Sequence, residues 1–101
     1  MSGSAKPDGA LSKAEIEACL AQPHKVGEDI VSPQPRPDHV FKPGYNFSIK
    51  LPDGSYGFGH EEASDGHLLV RYPAHRTSFD YAVTRNRGVV YFGGKATNCQ
   101  G

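Results

Sequence analysis

From residue 45 the chain alternates. Tyr45, Phe47, Ile49 and Leu51 fall on one face of a first segment, and Tyr56, Phe58 and His60 share one face of a second. A period of two predicts two β-strands, each with an aromatic side. Pro52-Asp53-Gly54-Ser55 between them is turn chemistry, so the pair is expected to form a hairpin. Closing it at that turn sets Ile49 near Phe58 and Phe47 near His60, on a single apolar face. Further strands are expected over residues 67–72, 78–84 and 89–92, with turns at Ser64-Asp65-Gly66, residues 73–77 and Arg85 to Gly88. Tight turns imply antiparallel neighbours, hence a twisted meander or half-barrel of about five strands.

Upstream the apolar positions change spacing. Ile16, Cys19 and Leu20 make a narrow helical stripe, Ser12 with Glu15 has the spacing of a capping box, and Leu11 with Ile16 that of a hydrophobic staple. Pro23 stops the helix. A helix of about ten residues does not persist alone in water, so its stripe must dock. Five of the eight prolines (Pro23, Pro33, Pro35, Pro37 and Pro43) lie in residues 23–44. Residues 32–38 read as an extended connector, either a stiff spacer or a peptide for a proline-reading domain. The chain therefore divides into a disordered tail over residues 1–10, a capped helix and proline-rich connector over 11–44, an antiparallel β domain over 45–95 and a tail over 96–101. The fold class is α+β, mostly β, with one short N-terminal helix.

Composition narrows the function classes. One domain accommodates 101 residues, and eight prolines with twelve glycines argue against a helix bundle. Eleven basic residues balance eleven acidic ones, which argues against nucleic acid or an anionic membrane as partner. The basic side chains Arg71, Arg76, Arg85, Arg87 and Lys95 crowd the last third, where charges serve to blunt sheet edges or to meet an anionic partner. No apolar run of ~18 residues is present to span a membrane, and residues 1–9 lack the apolar core of a secretory signal. Cys19 and Cys99 either bridge the helix to the C-terminal tail or stay as two free thiols. No local zinc pattern surrounds them, and neither a metal nor another cofactor is expected.

Nine of the ten aromatic residues fall in predicted strands. Tyrosines and phenylalanines aligned on a sheet face suit stacking on sugar rings, and equally suit an ordinary core. His60, His67 and His75 match no compact metal-ligand spacing. Glu62 with His75, helped by Arg71 or Arg76, has the residue types of a small metal-independent, toxin-like ribonuclease: a base, an acid and a cation for the phosphate. A protein–protein module of inhibitor or immunity type, using a free strand and the connector, is a further alternative.

Residues 58–66, Phe-Gly-His-Glu-Glu-Ala-Ser-Asp-Gly, resemble the arthropod cuticle proteins that carry the extended chitin-binding consensus. Tyr45 and Phe47 match that family's opening strand. Phe58, Gly59, His60, Glu62, Asp65 and Gly66 match its central pattern, and residues 79–83, Gly88, Val90 and Tyr91 look like its closing strands. The likeness spans residues 45–92 and departs from the family in a short segment after Asp65-Gly66, in the capped helix and in the two cysteines. It implies a half-barrel with an aromatic platform and a non-catalytic structural role in the extracellular matrix. Tyr45, Phe47, Phe58 and Tyr81 would lie along a polysaccharide such as chitin, flanked by His60 and Glu62. Tyr45, Tyr56 and Tyr72 would be open to oxidative crosslinking.

Overall fold

A computed structural model describes residues 8–34 and 45–99. Its elements are β1 (Gly9–Ala10), α1 (Lys13–Leu20), β2 (His24–Val26), β3 (Asp29–Gln34), β4 (Tyr45–Lys50), β5 (Tyr56–Ser64), β6 (His67–Tyr72), β7 (Thr77–Asn86), β8 (Val89–Phe92) and β9 (Lys95–Ala96). Strands β2 to β9 pair in chain order, every neighbour antiparallel, and β1 adds to β7. The ends of this sheet meet. Val26 bridges Thr97, the Gly27 amide donates to the Ala96 carbonyl at 2.8 Å, and the Asn98 amide donates to the Lys25 carbonyl at 3.3 Å. The meander is thus an almost closed barrel of eight strands rather than a half-barrel of five.

Three of the extra strands lie where a connector and a tail were expected. Residues 24–34 form β2 and β3, and residues 95–96 form β9. Part of the tail beyond residue 95 is tied down as well, because Thr97 closes the barrel and Cys99 is disulfide-bonded to Cys19. At the other terminus, Gly9 and Ala10 pair with Arg85 and Thr84. The rest of the expected polyproline connector, beyond Gln34, lies outside the described residues.

The capped helix is as the sequence reads. The Glu15 amide donates to Ser12 Oγ at 3.2 Å, and the Ser12 amide donates to Glu15 Oε1 at 3.0 Å. Leu11 and Ile16 are both buried, completing the staple. Helix α1 lies over one end of the barrel. There the Lys13 amide donates to Asp65 Oδ1 at 2.8 Å, the Gly66 amide to the Leu11 carbonyl at 2.7 Å, and Arg85 pairs with Glu15 at 2.9 Å. Leu11, Ile16 and Leu20, each at most 1% exposed, close that end over Leu68, Val83 and Val90. Each such side chain contributes about 1.5–3 kcal/mol by leaving water. Among the described residues the opposite end, ringed by the turns after β2, β4, β6 and β8, carries no α-helix, only a single 3-10 turn over Pro73–His75. Among the described residues no helix is long and apolar enough to cross a membrane.

Candidate functional site

The register of one hairpin decides what faces the barrel interior. Leu51 to Ser55 forms a loop in which Ser55 donates to Asp53 Oδ1 through its amide at 2.8 Å and its hydroxyl at 2.6 Å. The first pair above it is Lys50 with Tyr56, so Ile49 faces Gly57, Phe47 faces Gly59 and Tyr45 faces Glu61, while Ser48 meets Phe58 and Asn46 meets His60. The expected pairing of Ile49 with Phe58 and Phe47 with His60 is therefore off by one residue. In a strand, one residue of slip exchanges the faces. The glycines explain the choice. A Cβ on Gly59 would sit 2.5 Å from Phe47 Cζ, and one on Gly57 would sit 3.0 Å from Ile49 Cγ2. The narrow barrel holds the Phe47 and Ile49 side chains because nothing projects from the strand opposite.

The six sequence-derived site residues consequently divide between two surfaces. Tyr45, Phe47 and Tyr81 turn inward, Phe47 to 3% exposure, with Tyr45 and Tyr81 packed against the core. Phe58, His60 and Glu62 turn outward: Phe58 is 66% exposed, His60 Nδ1 lies 3.2 Å from Asn46 Oδ1, and Glu62 lies 3.9 Å from Arg71. They do not form one aromatic shelf. Nor does the Glu62 and His75 pair converge. Glu62 sits opposite Leu69, about 10 Å along the strand from the Tyr72 level, and His75 lies beyond that in the turn after β6.

The interior holds what alternation alone missed. A cavity of about 80 Å³ runs through the open half of the barrel, among Val31, Phe47, Val70, Tyr72, Tyr81 and Phe92, with Glu61 on its wall. Glu61 projects between Tyr45 of β4 and Val70 of β6 and is only 4% exposed. Its carboxyl makes no hydrogen bond among the described residues, and burial alone pushes its pKa up to about 8. The shift favours the protonated form at neutral pH, and the carboxyl faces mostly apolar walls. Burial likewise raises the Tyr72 phenol, with further contributions from Tyr81, Glu61 and Asp29.

Outside this chamber lies a wider groove of about 520 Å³, lined by Leu51, Tyr56, Phe58, Tyr72, Phe79 and their neighbours. Asp29, Ile49 and Tyr72 line both spaces and form the step between them. A ladder of rings leads inward. Phe79 stacks on Tyr81 with centroids 5.8 Å apart, Tyr72 meets Phe79 edge-on at 6.0 Å, and Phe47 meets Tyr72 at 5.9 Å. Tyr56 and Phe58, more than half exposed, and Phe79, 43% exposed, leave the groove apolar and open to water. An apolar mouth leading to one convergent polar group has the build of a small-molecule site.

The signal for Glu61 was present as parity: it shares the inner face with Gly57 and Gly59 once the loop is counted as five residues. Asp29 and Lys95, at the rim, lie in strands that the alternation did not predict. Comparisons with protein-family models, with curated proteins and with solved structures find no match for this chain, so the cuticle-family likeness rests on its motif residues alone.

Proposed function

We propose that the protein is a non-catalytic binding protein whose open barrel end takes a small, largely apolar molecule carrying a basic nitrogen. The observation that carries this reading is Glu61, a carboxyl 4% exposed and without a hydrogen-bond partner among the described residues, on the wall of a cavity. A bound partner gives this carboxyl the hydrogen bond that no described residue supplies. An ammonium group supplies that partner. Glu61 then ionises and accepts a charge-assisted hydrogen bond, while the faces of Tyr72 and Tyr81 attract the cation. The groove's rings take the apolar body.

The test uses calorimetry with three probes: 2-phenylethylamine, its neutral alcohol analogue and 3-phenylpropionate. The amine binds at pH 7 with release of up to about one proton, because Glu61 gives up its own. The carboxylate does not bind, and Glu61→Gln weakens the amine by at least about tenfold, the loss of a charged hydrogen bond. Equal binding of all three probes, or an unaffected Glu61→Gln, contradicts the reading.

One observation favours a second reading, polysaccharide binding in a narrower form than six aligned residues. Tyr56 and Phe58 stand 61% and 66% exposed on the outer face of β5, beside His60 and Glu62. On that reading chitin oligosaccharides bind, Phe58→Ala abolishes the binding and Glu61→Gln leaves it intact.

A further inference from the structure

At the helix-covered end, far from the open mouth, two side chains five residues apart meet a third from much later in the chain. Cys19 lies on the helix stripe, His24 opens β2, and Cys99 follows the strand that closes the barrel. The two sulfurs and a ring nitrogen of His24 all lie within 4.8 Å of one another, and all three residues are buried. The cysteines are joined as a disulfide. His24 is 4% exposed, its ring edge-on to Phe92 at 6.0 Å.

The histidine is prepared on one side and left open on the other. Its Nδ1 lies 2.8 Å from the Gln22 carbonyl, which accepts only from a protonated nitrogen, so Nδ1 carries the hydrogen. Nε2 is then a bare lone pair, and it is buried with no hydrogen-bond partner. A backbone carbonyl fixing one ring nitrogen while the other waits is how metal-bound histidines are oriented.

We propose that Cys19, His24 and Cys99 form a redox-gated site for a zinc-like divalent ion, closed as a disulfide and open to metal when reduced. A dithiol reductant passes two electrons and two protons to the Cys19–Cys99 bond and becomes a disulfide itself. The two thiols then lose their protons to water as both sulfurs and His24 Nε2 bind the ion. Two thiolates and an imidazole are soft and borderline donors of the kind zinc prefers. The fourth position falls to solvent, because a polar cleft lined by Gln22, Pro23 and Asn98 borders the cluster. The cleft admits water and the ion. Disulfide and metal each tie the helix to the closing strand, so the barrel end stays pinned in both states.

The experiment reduces the folded protein with a phosphine, removes the reagent without air, and titrates cobalt(II) as a coloured stand-in for zinc. The reduced chain takes one equivalent, with a thiolate-to-cobalt charge-transfer band and the intense visible absorption of four-coordinate cobalt, and zinc bleaches it. The oxidised chain shows neither band. His24→Ala in the reduced state weakens binding by more than the ~10–100-fold expected for loss of an outer partner. A readout that needs no variant is the His24 Nε2 nitrogen resonance, which shifts when zinc is added to the reduced protein. The proposal is overturned by any of three results: a disulfide that the phosphine leaves intact, a reduced chain without the charge-transfer band, or an Nε2 resonance that zinc does not move.

Discussion

Glu61 and Gly59 sit two residues apart on the inner face of β5, one bringing a polar group into the barrel and the other making room for a ring. Their consequences are measurable separately. The Glu61 carboxyl has a pKa of about 8 in the folded chain against 4.5 ordinarily, so between those values the folded state keeps a proton that the unfolded state has lost. Stability therefore falls as pH rises through that window, by at most about 5 kcal/mol at ~1.4 kcal/mol per unit. Urea midpoints from pH 5 to 9 are expected to show this decline in the wild type and a flatter profile in Glu61→Gln. Gly59→Ala drives a methyl to 2.5 Å from the Phe47 ring and 2.8 Å from the Arg71 carbonyl. Overpacking of that kind costs about 1–3 kcal/mol and is read as a lowered urea midpoint with an unchanged slope.

Among the elements, helix α1 was the most legible, because its signals are local: Ser12, Glu15, Leu11 and Ile16 each do what their spacing implies. Ser12→Ala is expected to cost about 1 kcal/mol, measured by thermal melting. Glu15 extends the effect to low pH. Its carboxyl is held down to about 2, first by the Ser12 backbone amide and then by Arg85, so the stability it provides is present above its ordinary 4.5 and is lost as pH falls toward 2. Arg85→Ala should shift that acid transition upward. Strands β4 to β8 were legible from alternation and from the turn residues between them, whereas β2, β3 and β9 were not. Three residues, as in β2, carry no period, and Pro33 reads as a strand breaker. The fold tolerates Pro33 because β2 covers only Asp29 to Val31, which leaves Pro33 on a free edge among the described residues. β9 depends on Gly93 and Gly94, both at positive φ (57° and 88°), which turn the chain back onto β8. The inner face of β5 was misread for a subtler reason: the aromatic parity of β4 and that of β5 were each visible, but the loop length that phases them was not.

For the molecule as a whole, closure turns a sheet with two faces into a barrel with an inside and an outside, and this separates the sequence-derived platform into inward and outward halves. The disulfide joins residues 80 apart. Its removal in Cys19→Ser, Cys99→Ser should cost about 4.5 kcal/mol by loop-closure entropy, a large share of the 5–15 kcal/mol that holds such a domain folded. The helix plugs one end and leaves the chamber and its carboxyl to the other, so on the proposed reading a ligand enters by the groove of Tyr56, Phe58 and Phe79. The most direct test is the ionisation of the Glu61 carboxyl followed by carbon NMR, with and without 2-phenylethylamine. The account predicts titration near 8 in the free protein and a carboxylate already ionised at pH 7 once the amine is bound. Titration near 4.5 in the free protein, or a carboxyl indifferent to the amine, would contradict it.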